Sequence, residues 1–305
     1  MTLVLNSLFP VIFLLAAGMA LKHYQLTSEL FLKTSDRLVY YIFFPALLFW
    51  KIGGAQTSGD FNLDYSLIAI AVTVGAAIIS LVLIRLFSIS DFKAGSFSQS
   101  CYRFNTYIGM AVIINAFGNE GVRYFGVLIS LVIPVINVMA VSTLIWYSGK
   151  RISAGERVWL TGKALISNPL ILASVAGILY AGSVNSFAPF VENTLRLMTS
   201  VTLPLALLSI GGALTTKGLK QHFGLSFLAS VSKLLLMPLA GYLLLKYFNV
   251  TGLPFRVGLI FLAQPTATSI YILSSQLNSD TELASAAIAL STALSFISLS
   301  VALII

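Results

Sequence analysis

Two short polar runs interrupt an otherwise apolar chain, and both hold residue types suited to binding a small anion. The first lies in SFSQSCYRFNTYIGMAVIINAFG, Ser96 to Gly118, whose centre from Tyr102 to Gly109 carries Arg103, Asn105 and Thr106. The second lies in FRVGLIFLAQPTATSIYILSSQ, Phe255 to Gln276, with Gln264, Pro265, Thr266, Ala267, Thr268 and Ser269 at its centre. Pro265 has no N–H to donate and disfavours helical geometry at Gln264. Thr266, Thr268 and Ser269 are then placed to cap a new helix start. Such a start presents free N–H groups and partial positive charge, which suits a carboxylate. The plainer alternative is that the proline and hydroxyls only kink and pack a membrane helix.

Arg103 is the strongest candidate. If its helix starts near Gly95, the side chain lies about 12 Å deep at 1.5 Å per residue. A lipid-facing cation there costs at least ~2.5–3.5 kcal/mol, so Arg103 needs an anion or carbonyl partner. The ten carboxylates, Glu29, Asp36, Asp60, Asp64, Asp91, Glu120, Glu156, Glu192, Asp280 and Glu282, all fall in or beside predicted gaps. Two partners stay open: a substrate anion, or backbone carbonyls at a broken helix. Lys233, within SVSKLLLMP, adds positive charge to the same cavity, or snorkels, or contacts helix ends. His23 and His222 read as solvated loop residues without a metal-ligand set. Asn115 and Asn137 read as packing contacts, and Asn6 and Pro10 as cavity-lining candidates. Glycine-rich phosphate loops, nucleophile elbows and HExxH motifs do not occur, so neither cofactor, metal nor enzymatic activity is expected.

The elements that position these residues follow from composition. Of 305 residues, 58% are hydrophobic and 9% charged, and the mean hydropathy is +0.94. A soluble domain is about a quarter charged, so lipid must cover most of this surface. The net charge of +8 is dispersed in short gaps between apolar runs, which argues against nucleic acid as a partner. Ten runs are long enough to cross roughly 30 Å of hydrocarbon: roughly 3–21, 34–52, 65–87, 96–117, 123–147, 164–182, 194–214, 223–247, 255–277 and 282–304. The first has neither a basic leader nor a cleavage site and reads as a span. Lys22, Lys33, Arg37, Arg85, Lys93, Lys150, Arg151, Arg157, Lys163, Lys217 and Lys220 occupy one set of gaps. Lys51, Arg123, Arg196, Lys246 and Arg256 occupy the other. The richer set should be cytoplasmic, which puts both termini outside.

An internal repeat is also visible. Pro10 and Pro169, Gly18 and Gly177, Arg37-Leu38 and Arg196-Leu197, and Pro45 and Pro204 are each separated by 159 residues. Five spans separate the copies, an odd number, so the second copy enters with opposite polarity, as in many secondary transporters. The expected domains are 1–148 (first inverted five-helix repeat), 149–163 (cytoplasmic linker) and 164–305 (second repeat). An offset of 160 aligns Asn105 with Pro265 and Thr106 with Thr266.

The opening NSLFPVIFLLAAGMALKHYQL, the run DRLVYYIFFPALLFWKI, YRFNTYIGMAV, and AQPTATSIYILSSQ followed by Asp280 resemble the auxin efflux carrier family. The resemblance covers essentially the whole chain and says more about fold than substrate. It implies an all-α polytopic membrane protein of ten transmembrane helices, two inverted repeats, a scaffold and a transport domain, and broken, crossing fourth and ninth helices. It further implies elevator-like alternating access and, in many members, a homodimer. Asn105 and the Pro265-Thr266 region match its crossover positions. Met110 departs from the family's usual proline, leaving the fourth-span break to Asn105 and Gly109. The absence of a long central loop indicates a short bacterial-type carrier in the inner (plasma) membrane.

The function so implied is secondary transport of a small mono- or dicarboxylate, bound by Arg103, Asn105, Thr106, Gln264, Pro265, Thr266, Thr268, Ser269 and Lys233. A sodium-coupled organic-anion symporter of the bile-acid type is the nearest rival, and a membrane sensor or channel is the rival of another class. The orientation is directly testable. In a Cys101→Ser background, a cysteine placed at Thr2 or Ile305 is expected to react with impermeant maleimide in intact cells. Labelling only after lysis would invert the topology.

Overall fold

The computed structural model describes residues 2–54, 64–147, 153, 155–156, 159, 162–163, 166–184, 186–214 and 218–305. Most of the expected linker 149–163 lies outside these, as do Asp60, Lys150, Arg151, Arg157 and Lys217. Every regular element among the described residues is helical: α1 (Thr2–His23), α2 (Glu29–Leu38), α3 (Phe44–Gly53), α4 (Asp64–Leu86), α5 (Asp91–Tyr102), α6 (Thr106–Tyr147), α7 (Pro169–Ser183), α8 (Pro189–Thr199), α9 (Thr202–Ala213), α10 (Leu219–Val231), α11 (Met237–Tyr247), α12 (Gly252–Leu262), α13 (Ser269–Gln276) and α14 (Thr281–Ile304). Two π-helical segments, Val39–Phe43 and Ser232–Leu236, join α2 to α3 and α10 to α11. Six helical stretches among the described residues are long and apolar enough to cross a membrane: Thr2–His23, Asp64–Leu86, Asp91–Tyr147, Pro189–Ala213, Leu219–Tyr247 and Thr281–Ile304; Asp91–Tyr147 is itself interrupted after Tyr102 and at Gly118 (φ 58, ψ −147). The apolar helices α7 and α12 are shorter.

Local chemistry sets the boundaries. Ser28 caps α2 by accepting from Phe31 N at 3.1 Å. Asn168 caps α7 ahead of Pro169 at its first position, accepting from Leu170 N at 3.0 Å and Ile171 N at 3.3 Å. Asp280 caps α14 through Glu282 N and Leu283 N. Each removes orphan donors that apolar surroundings could not satisfy. Both π segments end just before a proline-led helix, Pro45 in α3 and Pro238 in α11. A proline cannot donate to the preceding turn, and a π turn is one way to absorb the lost bond.

Side chains sort as a lipid-solvated protein requires. Phe9, Phe13, Leu67, Ile78, Val82 and Leu243 face outward, while Ser66, Thr73, Ser80, Ser96, Ser98 and Ser100 are buried. Small hydroxyl residues allow helices to approach closely and bond to one another, as Ser80 does to Ser98 at 2.7 Å.

The chain forms two compact units. The first comprises Met1–Asn62, Tyr107–Ser130 and Ile166–Leu214, and the second Leu63–Thr106, Leu131–Leu165 and Thr215–Ile305. Within the first, α1 packs on α9 and α3 on α7, and the crossings are made at glycines. A Cβ on Gly18 would meet Leu208 O and Gly212 N, and one on Gly177 would meet Ile52 and Gly53 N. Gly18 and Gly177 are 159 residues apart, as are Gly53 and Gly212, so the two crossings are built from matching positions. Thr202 Oγ1 donates to Phe43 O at 3.3 Å, again across a separation of 159. In the second unit, α4 and α11 end alike. Phe87, Ser88 and Ile89 donate backbone bonds to Leu83, Arg85 and Ile84, and Phe248, Asn249 and Val250 donate to Leu244, Lys246 and Leu245. Ser88 (φ 48) and Asn249 (φ 56) both take left-handed geometry.

A Cβ at Gly211 would strike the Leu15 carbonyl, whereas one at Gly75 would meet nothing within 4 Å. Gly211→Ala is therefore expected to lower the melting temperature in detergent by an amount equivalent to about 1–3 kcal/mol. Gly75→Ala should be neutral or stabilising by roughly 0.5–1 kcal/mol. Equal melting of the two variants would refute the close α1–α9 approach.

Candidate functional site

The second unit holds two helix breaks that meet each other. α5 ends at Tyr102, Arg103 turns to extended geometry (φ −73, ψ 149), and α6 starts at Thr106. α12 ends at Leu262, and α13 starts at Ser269. Asn105 N donates to Pro265 O at 2.9 Å, and Thr266 Oγ1 donates to Ser100 O at 2.8 Å. Each break thus supplies a donor that the other lacks. α14 adds two more contacts from residues spaced seven apart: Ser291 Oγ accepts from Thr266 N at 3.2 Å, and Ser298 Oγ donates to Ala263 O at 2.7 Å.

The nine expected site residues all fall in this unit, on or beside the two breaks. Gln264 and Pro265 are buried, and Asn105 and Thr266 nearly so. Thr106 and Thr268 are half-buried, and Ser269 is exposed. Neither atom of the Gln264 amide has a hydrogen-bond partner, although the side chain is 0% exposed. An unmade bond of this kind costs about 1–3 kcal/mol per group.

The Arg103 guanidinium meets neutral oxygens: Gln99 Oε1 at 2.9 Å, Ser269 Oγ at 3.2 Å and Asn137 Oδ1 at 3.4 Å. Gln99 is held in turn by Gly95 O at 3.3 Å and by Ser274 Oγ at 3.5 Å. Ser274 accepts from Ser96 Oγ, which also bonds Ser279 Oγ. The arginine is therefore positioned by side chains of α5, α6 and α13. Ser269 opens α13, where Ile270 N donates to Ala267 O at 3.3 Å and Tyr271 N to Thr268 O at 3.2 Å, short i→i+3 bonds of the kind that tighten a helix end. Lys233 stands on the π segment Ser232–Leu236, wholly buried. Its Nζ donates to Leu262 O at 3.1 Å and lies 3.9 Å from the centre of the Phe104 ring.

Several positions differ from the sequence expectation. Thr268 precedes α13 without a side-chain cap bond, its backbone being already helical (φ −64, ψ −26) where a capping residue is extended, and the Thr266 hydroxyl is spent on the other broken helix. Gly109 lies within α6, so the break rests on Arg103 to Asn105 instead. Asn137 touches Arg103. His222 is neither in a loop nor solvated: it lies in α10, 4% exposed, with Nε2 3.7 Å from Glu282 Oε2 and 4.0 Å from Asp280 Oδ2. Ser291 and Ser298 escaped notice because lone serines in an apolar helix carry no local signal. Their spacing of seven, which places both on one helix face, was the available clue.

Interrupted helices crossing inside an apolar helical protein, with a basic side chain beside the crossing, define a polytopic membrane protein of the transporter class. A family profile described as membrane transport protein matches residues 3–303. The chain belongs to that family, the auxin efflux carriers. A protein of Methanocaldococcus jannaschii described as an uncharacterized transporter is 23% identical over 294 residues, covering 94% of each chain.

The Thr266–Ser100 bond is testable on its own. Thr266→Val keeps the shape but leaves the Ser100 carbonyl without that donor. A loss of about 1–3 kcal/mol is expected, read as a lower melting temperature, with Thr268→Val near neutral. Equal melting would show that the crossing does not depend on this bond.

Proposed function

We propose that the protein is a secondary carrier of small organic anions, mono- or dicarboxylates, with the carboxylate bound beside the crossed breaks. The observation that carries this reading is Arg103, which donates to Gln99 and Asn137 and lies against Ser269 at the start of α13. A guanidinium and a helix N-terminus directed to one place favour an anion. Gln264, with a free donor and a free acceptor, is suited to orient it. Asn105, Thr106, Pro265, Thr266 and Thr268 shape the breaks that bring these groups together.

The architecture proposed is ten transmembrane helices in two inverted repeats, residues 1–148 and 164–305. The glycine crossings at matched positions, the Thr202–Phe43 bond, the Asn105–Pro265 bond and the alike ends of α4 and α11 support it. Each is a contact or cap that a two-fold-related pair of segments would generate. Two compact units, each assembled from both chain halves, support movement of one against the other, elevator-like. A homodimer in the inner membrane with both termini outside completes the proposal. The sodium-coupled rival is separated by the ion dependence of binding.

The test is melting of the detergent-purified protein against malonate, malate, succinate, lactate, benzoate and indole acetate. One carboxylate should raise the melting temperature saturably. Arg103→Ala should weaken that shift by a factor of roughly 10–100, the worth of a charged hydrogen bond, and Arg103→Lys should restore it in part, lacking the bidentate fork. An unchanged shift in folded Arg103→Ala would place the anion elsewhere.

A further inference from the structure

Breaking a helix leaves carbonyl oxygens without intrahelical donors, and at a helix C-terminus they carry partial negative charge. In a broken-helix carrier such carbonyls are where a coupling sodium ion is held. Here the protein's own donors reach them. Leu262 O accepts from Lys233 Nζ at 3.1 Å, Ala263 O from Ser298 Oγ at 2.7 Å, and Pro265 O from Asn105 N at 2.9 Å. On the other broken helix, Ser100 O accepts from Thr266 Oγ1 and Gln99 O from the Arg103 backbone N–H.

Among these donors Lys233 differs in kind. Its side chain is 0% exposed, yet the described ion pairs give it no carboxylate. What surrounds the Nζ is the carboxyl end of α12 and the face of Phe104, whose ring lies 4.3 Å from that of Phe261. A helix carbonyl end and a desolvated aromatic face are two environments that favour a positive charge. The residue sits on a π turn, a distortion found often at functional positions.

We propose that Lys233 is a tethered cation that takes the place of a coupling metal ion at the crossing, so that this chain works without sodium or potassium. A bound sodium ion enters and leaves in each cycle and brings its gradient with it. A lysine cannot leave. Its charge stabilises the α12 break permanently, and the driving force must come from the cargo gradient or from another ion. The proposal rests on the carrier reading above only in treating the crossing as a transport site. The measurement below uses no cargo, so its failure is distinguishable from failure of that reading.

The experiment is thermal melting of the full chain in detergent, at equal ionic strength, in sodium, potassium, choline or methylammonium chloride. The wild type should melt alike in all four. Lys233→Ala, which opens space at Leu262 O, should melt several degrees lower in choline and regain most of that loss saturably in sodium or methylammonium. Lys233→Met, which fills the space with apolar atoms, should be lowered in all four salts and rescued by none. Saturable stabilisation of the wild type by sodium would overturn the proposal. So would folded Lys233→Ala that melts as the wild type in choline, or that no small cation rescues, since either outcome makes Lys233 a packing residue. Where Lys233→Ala cannot be recovered folded, rescue of Lys233→Met by sodium, or sodium stabilisation of the wild type, overturns it equally.

Discussion

An apolar solvent offers no hydrogen bonds, so every backbone group that a membrane-embedded helix releases must find its partner inside the protein. This chain releases such groups twice, after Tyr102 and after Leu262. Neither interruption could persist alone. Placed against each other, the breaks exchange Asn105 N–H for Pro265 O and the Thr266 hydroxyl for Ser100 O. Three more groups, Thr266 N, Ala263 O and Leu262 O, are met by Ser291 and Ser298 of α14 and by Lys233. The polar centre, the helix order and the surrounding serines are all consequences of needing to close that account within the second unit.

The same constraint explains the buried hydroxyls of α5. Ser96, Ser98, Gln99 and Ser100 would be a poor lipid-facing helix surface, and all are fully buried. Through Ser274 and Ser279, Ser96 and Gln99 tie α5 to α13 and to the segment following it, and Gln99 also holds Arg103. The arginine is thus placed by a network extending back toward the start of α5. Preorganisation of that kind lowers the cost of ordering a side chain when a ligand arrives.

The sequence displayed the apolar helices, both breaks and the residues on them, because proline, asparagine and arginine are conspicuous in an apolar run. It displayed less of what closes the breaks. Lys233 could be seen as an oddity, but its partner is a carbonyl 29 residues away, and carbonyls have no sequence signature. Ser291 and Ser298 resemble any other membrane serine. His222 was misplaced for a similar reason. It lies in the first turn of α10, where a polar residue reads as a loop, and its burial depends on Asp280 and Glu282 folding back onto it. Pairings across long separations are legible only where the two segments share an identity signal. The glycines at 18 and 177 had one; the serines of α14 did not.

Repetition and chemistry occupy different positions in this chain. The residues that match across the two halves, Gly18 with Gly177, Gly53 with Gly212 and Ser88 with Asn249, make close crossings and caps. The residues with unusual charge do not match. At an offset of 160, Arg103 falls against Ala263, and Lys233 against Thr73, whose hydroxyl merely bonds Ala69 O in its own helix. Duplicating Arg103 would put a second guanidinium at the carbonyl that Ser298 now serves, and duplicating Lys233 would bury another ammonium in α4. Like charges brought together in a protein interior repel one another far more strongly than in water. The scaffold can be two-fold, but the charges that select a ligand cannot be, so divergence between the halves should concentrate at the crossing.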